Sequence, residues 1–327
     1  MDRVLSGIVP SGSFTLGNYL GALRHWVSFQ EGHDAFYGVM NLHALTNEIS
    51  PEDLRTRTMD AAINLLAVGL DPQRATVFVQ SHVPEHARLT WLLESTASFG
   101  ELNRMTQFKE KGQGQENVRA SLITYPVLMA ADVLLYDASH VPVGDDQRQH
   151  LELTRNLAQR FNHRYGETFV VPEAAIAGTA ARVMDLQHPE RKMSKSVDSP
   201  LGTVGLLDSD EEITRKVKKA VTDTDGEVRY DRAAKPGLAN LLDLLAAATD
   251  RTPQQVAAGY QRYGDLKHDV AEALCAMIGP IRERRAALEA DLPFVRTVLR
   301  DGAERARQVS AATYARAAEA MGLVPPG

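Results

Sequence analysis

The chain is predicted to be an α/β protein: a doubly wound, Rossmann-like parallel sheet in its first part, followed by an all-helical region. Three observations predict this. Short apolar runs rich in β-branched and aromatic residues alternate with helical patterns through the first half, as βαβ units require. From about Ser209 the β character disappears and the apolar spacing is helical to the end. The 327 residues exceed what one small core needs. An α/β unit is therefore placed at residues 1–203 and a helical unit at 204–327, with its last helix expected to pack back on the first unit.

The elements follow in order. Residues 4–8 are the first expected strand, broken by Pro10 and Gly12, and 17–30 the first helix. A second strand at 35–41 leads to a helix at 51–68, where Pro51 suits a first turn and Ser50 an N-cap. The third strand, 76–80, precedes a helix at 84–98. An apolar helix at 128–136 is expected to begin after Pro126, a fourth strand occupies 140–143, and a helix runs over 146–162. Beyond Ser209, residues Ile213, Val217 and Ala220 share one helix face while Arg215, Lys218 and Lys219 share another. Pro236-Gly237 marks a break before a helix at 238–248, and Gly279-Pro280 is expected to interrupt or kink the stretch 266–288.

Composition narrows the function classes. Hydrophobic residues at 44% and charged residues at 24%, with no long uncharged apolar run, speak for a soluble globular protein without a membrane span. The sequence enters a strand pattern at Val4 with no signal-peptide organisation, so a cytoplasmic location is expected. A single cysteine, Cys275, excludes a disulfide framework or a Cys-rich zinc site, and its apolar neighbours point to a buried thiol. The net charge of -6 argues against broad nonspecific nucleic-acid affinity. A local basic surface remains available at Arg215-Lys216-Val217-Lys218-Lys219, either an RNA contact or a solvated helix face.

Two segments carry the chemistry. Pro10-Ser11-Gly12-Ser13-Phe14-Thr15-Leu16-Gly17-Asn18 places glycines and short polar residues between a strand and a helix, where backbone N–H groups can meet phosphate. Lys192-Met193-Ser194-Lys195-Ser196 sets two lysines three apart on a serine-punctuated loop. Thr15 is equally a helix N-cap, and a lysine loop is equally a solvated surface. Elsewhere Met129, Asp132 and Tyr136 recur at helical spacing with Tyr125 a turn earlier, and an acid in so apolar a run needs a hydrogen-bond donor. That donor is a ligand or a structural partner. His43, after an apolar strand, reads as lining or packing rather than as a general base, and His150 as structural.

In this order the two segments resemble the signatures of class I aminoacyl-tRNA synthetases. Residues 16–23, 105–111, 128–136, 143–147 and 220–223 extend the resemblance to the bacterial tryptophanyl-tRNA synthetases, nearly end to end. The resemblance implies activation of L-tryptophan by ATP with substrate-bound Mg2+, no metal fixed by the protein, and transfer to the 2′-hydroxyl of the terminal adenosine of tRNA(Trp). It implies catalytic roles for Lys192, Lys195, Lys111, Thr15 and Asn18. ATP would be bound by Pro10, Ser11, Gly12, Gly17, Asn18, Gly144, Asp146, Gln147, Val183, Lys192, Met193, Ser194 and Lys195. Tryptophan would meet Asp132, which accepts its indole N–H, with Met129, His43, Val143, Tyr125, Gln147, Leu5 and Gly7 around it. The helical region would read the anticodon, and the protein would be a homodimer.

The sequence departs from that pattern at Val9, where a glutamine is common, at Leu5 for phenylalanine, at Asn41 for aspartate, and at Val197-Asp198-Ser199. The lysines are untouched, so the departures bear on affinity, inhibitor sensitivity and a divergent or auxiliary role. Three rivals remain: a tyrosyl-tRNA synthetase, a small adenylyltransferase of the same nucleotide-binding superfamily, and a non-catalytic RNA-binding relative. The helix bearing Met129 and Asp132 counts against the first, the helical second half against the next, and the intact Lys192, Lys195 and Asp132 against the last.

Overall fold

A computed structural model describes residues 2–112, 118–142, 147–175, 183–193 and 200–324. Strand β1 (Arg3–Ile8) turns into α1 (Leu16–Asn18), a π-helical turn (Tyr19–Leu23) and α2 (Arg24–Phe29). Strand β2 (Asp34–Val39) leads through a 3-10 turn (His43–Thr46) to α3 (Pro51–Ala67), and β3 (Ala75–Val79) through another (Gln80–His82) to α4 (Glu85–Glu94), α5 (Phe99–Asn103), α6 (Thr106–Gly112) and α7 (Ala120–Leu134). After β4 (His140–Pro142) come α8 (Arg148–Tyr165) and β5 (Glu173–Ala175). The remainder is α9 (Asp210–Lys218), α10 (Pro236–Thr249), α11 (Pro253–Ala257), α12 (Tyr263–Ala290) and α13 (Leu292–Ala320).

The five strands are parallel in the order β3-β2-β1-β4-β5. The chain reverses direction of travel between β1 and β4, so the crevice beyond their carboxyl ends is the place where such a sheet receives ligands. Period-two alternation divides the side chains between two layers: Ala35, Tyr37, Val39 and Val77 enter the core shared with α3 and the helical region, whereas Leu5, Phe36 and Phe78 enter the core under α4, α7 and α8. Helix α13 lies along β3, where a Cβ on Gly302 would stand 1.9 Å from the Val77 carbonyl oxygen; only glycine allows that approach. Its Val295 and Val298 join one core and its Ala303 and Ala306 the other.

Local chemistry explains most boundaries. Ser50 accepts from the Asp53 N–H with Pro51 at the first position, and Ser98, Ser209 and Thr252 each close a capping box on their helices. Several expectations are corrected. The helix of Asp132 begins at Ala120 and carries Pro126 inside it, because burial of Leu122, Val127 and Ala130 on both sides offsets the lost backbone bond. Pro280 likewise sits within continuous α12, flanked by the buried Leu274, Ile278 and Ile281. Pro236 starts α10 rather than merely ending what precedes it. The short strand β5 was not foreseen, since three residues leave no periodicity to detect. Cys275 is half-buried, and burial pushes its thiol up. Among the described residues no helix is long and apolar enough to cross a membrane.

Candidate active site

Past β1 the chain makes a tight turn, Ser11 N–H donating to Val9 O at 2.8 Å, and Gly12 takes φ 118°, a conformation that favours glycine. Thr15 caps α1: Asn18 N–H donates to its hydroxyl at 3.3 Å, and Asn18 Oδ1 accepts from Thr15 N–H at 2.9 Å and from Thr15 Oγ1 at 3.0 Å. The cap reading of Thr15 is therefore what the fold uses. Buried and engaged, its hydroxyl reaches a phosphate only if this box opens, whereas exposed Asn18 keeps its amide N–H donors for a ligand.

The lysine segment grows from a hairpin. Met193 N–H donates to Val183 O at 3.0 Å and Asp185 N–H to Arg191 O at 2.9 Å, while Met184 pairs with Lys192. Buried Asp185 closes the bend by accepting from the Gln187 and His188 N–H groups at 2.7 and 2.9 Å, with Gly202 packed against its carboxylate. Asn240 of α10 holds the Met184 backbone with both ends of its amide, at 3.0 and 2.9 Å. Lys192 is exposed and Met193 buried.

These two segments meet. Met193 covers Gly17, a Cβ on which would stand 3.4 Å from Met193 O. Residues 204–206 run beside the turn as well, with Leu16 N–H donating to Val204 O, Leu206 N–H to Phe14 O, and Thr15 paired with Gly205. Ser194 and Lys195 lie outside the described residues, as do Val143, Gly144 and Asp146; Lys111 belongs to α6 by its backbone, and its side chain is likewise outside them.

Asp132 is buried in a shell of donors. His43 Nε2 reaches its Oδ2 at 2.8 Å, and Gln80 Nε2 and His86 Nδ1 reach its Oδ1 at 2.7 and 2.6 Å. Burial alone would push the carboxyl up, but the hydrogen bonds from His43 and His86 outweigh it and hold the group down to about 2, an anion at neutral pH. Tyr125, edge-on to His43 at 6.3 Å, donates to Gln107 Oε1 at 3.0 Å and meets His150 Nε2 at 2.7 Å. Met129 is half-buried, Leu5 belongs to the core beneath, and Gly7 is exposed beside Met40, whose Cε would lie 2.3 Å from a Cβ there. Gln147 forms the N-cap position of α8.

A glycine turn joined to a lysine hairpin suits a triphosphate, and a buried anion suits an N–H-bearing substrate. Comparison with known proteins agrees. Residues 2–279 match the family described as tRNA synthetases class I (W and Y). The chain belongs to that family. This synthetase is 53% identical to tryptophan–tRNA ligase 1 of Streptomyces coelicolor, over 100% of this chain and 98% of that protein. Among solved structures it is similar to tryptophanyl-tRNA synthetase from Mycoplasma pneumoniae, with TM-score 0.91, 36% identity and 99% and 98% of the two chains covered. It is also similar to the Campylobacter jejuni enzyme complexed with ADP and tryptophan, at TM-score 0.85 and 32% identity over 98% and 100%.

Sequence reasoning missed Gln80, His86 and Asn240 in this synthetase. Gln80, directly at a strand end, and His86, just inside a helix after Pro84, were visible as polar residues in apolar surroundings, but nothing local connects either to Asp132. The basic segment is corrected too. Lys216 is buried, donating to Asp208 Oδ2 and to Thr203 O at 2.9 Å, which leaves Arg215, Lys218 and the C-cap Lys219 as the exposed cations of this segment.

Proposed function

We propose that this synthetase activates L-tryptophan with ATP and charges tRNA(Trp). The observation that carries the reading is the seating of Met193 on Gly17, which supports a shared role of the two motifs around one nucleotide. The tryptophan carboxylate attacks the α-phosphorus of ATP, a P–O bond to the β-phosphate breaks, and pyrophosphate leaves with its Mg2+. The protein's contribution is in-line positioning and cationic compensation of the phosphate oxygens. Lys192, Lys195 and Lys111 provide the cations, Asn18 an amide donor, and Pro10, Ser11, Gly12 and Gly17 the turn under the phosphates. Gly144, Asp146 and Gln147 border the ribose, and Val183 and Ser194 frame the lysines.

Tryptophan lies against Met129, His43, Tyr125, Val143, Leu5 and Gly7, with its indole N–H toward Asp132. The 2′-hydroxyl of the terminal adenosine then attacks the adenylate carbonyl, forming the ester, giving up its proton and releasing AMP. The helical unit, residues 204–327, meets the anticodon, with Arg215, Lys218 and Lys219 available to phosphate. A homodimer working in the cytoplasm completes the reading, and exposed Trp91 and Phe99 offer apolar surface for a second copy.

The test is pyrophosphate exchange into ATP. Tryptophan-dependent exchange is expected, and Lys195→Ala lowers its rate by about 10²-fold or more, as loss of a transition-state cation does, with the thermal transition intact. Exchange with tyrosine in place of tryptophan overturns the substrate assignment.

A further inference from the structure

We infer that Tyr136 and His86 form a directional hydrogen-bond chain which, with Gln80, saturates Oδ1 of Asp132 and leaves one acceptor position, on Oδ2, for the tryptophan indole. His86 is on this view a positioning residue for amino-acid discrimination, an inference that rests on the proposed reaction.

The chain has one possible direction. A carboxylate only accepts, so His86 donates from Nδ1 to Oδ1 at 2.6 Å. Nε2 of the same ring is then the acceptor, and it lies 2.9 Å from the Tyr136 hydroxyl. Burial, first, and the charges of Asp132 and Glu85 push the Tyr136 phenol well up, so it stays protonated and donates. Rings lock the arrangement: Phe78 stacks on His86 at 5.8 Å, and both Phe36 and Phe78 pack on Tyr136, at 5.0 and 5.6 Å. His86 and Tyr136 are each 0% exposed.

A carboxylate offers about four lone-pair sites. Among the described residues, two on Asp132 are taken on Oδ1, by Gln80 and His86, and one on Oδ2, by His43. The last, on Oδ2, matches a single N–H donor. Without the His86 bond the carboxylate can rotate and present either oxygen, and it is easier to protonate. The titratable groups that surround it are His43 beyond β2, Glu85 and His86 on α4, Tyr125 on α7 and Tyr136 just past it, with His150 of α8 behind Tyr125.

The experiment measures KM for tryptophan and for ATP by pyrophosphate exchange between about pH 5 and pH 8 in wild type, His86→Leu, His86→Asn and Tyr136→Phe. His86→Leu is expected to raise the tryptophan KM about 10- to 100-fold, the range typical of lost ligand-orienting partners, with the ATP KM changed less than about twofold. Asn places an amide N–H near the Nδ1 position, so His86→Asn recovers most of that loss. The tryptophan KM of His86→Leu worsens further toward pH 5, while that of wild type stays level. Equal rises for both substrates, no recovery in His86→Asn, or a level pH profile in His86→Leu overturns the inference. Should His86→Leu show no cooperative thermal transition, Tyr136→Phe decides: an unchanged tryptophan KM overturns it, and a rise of about threefold or more supports it. Wild type that exchanges only with another amino acid overturns the functional reading instead.

Discussion

Two buried charges, one in each half of the molecule, are surrounded with equal care and to opposite ends. Among the described residues Asp132 receives three donors, and it has acceptor capacity for a fourth. Lys235, at the start of α10 and 1% exposed, has three N–H donors facing four oxygens: Asp223 Oδ1 at 3.0 Å, Asp225 Oδ1, Glu227 O at 2.9 Å and Tyr263 OH at 3.0 Å. Its ammonium is fully consumed in tying residues 223–227 to α12. A buried charge with capacity left over can serve a ligand, whereas one with none serves the fold. The difference lies in the count of partners: three donors against about four acceptor sites on Asp132, four oxygens against three donors on Lys235.

Substitutions at these charges separate the two roles. The largest effect is expected from Asp132→Asn, which keeps an acceptor for Gln80 and His86 but turns a donor toward the indole. The tryptophan KM should rise by about 10²-fold or more, with the ATP KM little changed. Equal losses for both substrates would break the contrast. Next, Lys235→Met should lower Tm by roughly 5 °C or more, because it strands two acids, while the ratio of the two KM values stays put. A shifted ratio would mean that the Lys235 cluster also reports to the active site.

The same variant has a pH signature. Hydrogen bonding to Lys235 first, and to the Glu227 N–H next, holds the Asp225 carboxyl well below the usual range. Its folded-state value being depressed, its contribution is present above the unfolded value near ~4 and is lost as pH falls below it. Melting curves of wild type and Lys235→Met should therefore begin to converge below about pH 4 and go on converging as pH falls toward the depressed folded-state value. The smallest effect is expected from Tyr263→Phe, which removes one hydroxyl from a cluster already rich in acceptors: a Tm lower by about 1 to 5 °C and unchanged kinetics, against the tryptophan KM rise expected of Tyr136→Phe.

Much of this was legible in one dimension. The parallel strands at 4–8, 35–41 and 76–80 were found within a residue or two because β-branched and aromatic runs between helical patterns depend on near neighbours. The Ser50 cap and the glycine turn are equally local. Pro126 misled for the converse reason, and Pro280 does not end its helix: a rule about local backbone bonding was outweighed by packing against distant helices. Lys216 looked like surface charge because nothing nearby in sequence announces that Thr203 and Asp208 enclose it.

The sequence by itself determined the chemistry on offer: an acid in an apolar helix, a glycine turn, paired lysines and the order in which they come. Tertiary structure alone decided which of those groups keep valence for a ligand. Asp132 meets Gln80, His86 and His43 across 52, 46 and 89 residues of chain, and hydrogen-bond saturation at such separations is settled by how helices dock on the sheet, a choice no local pattern encodes.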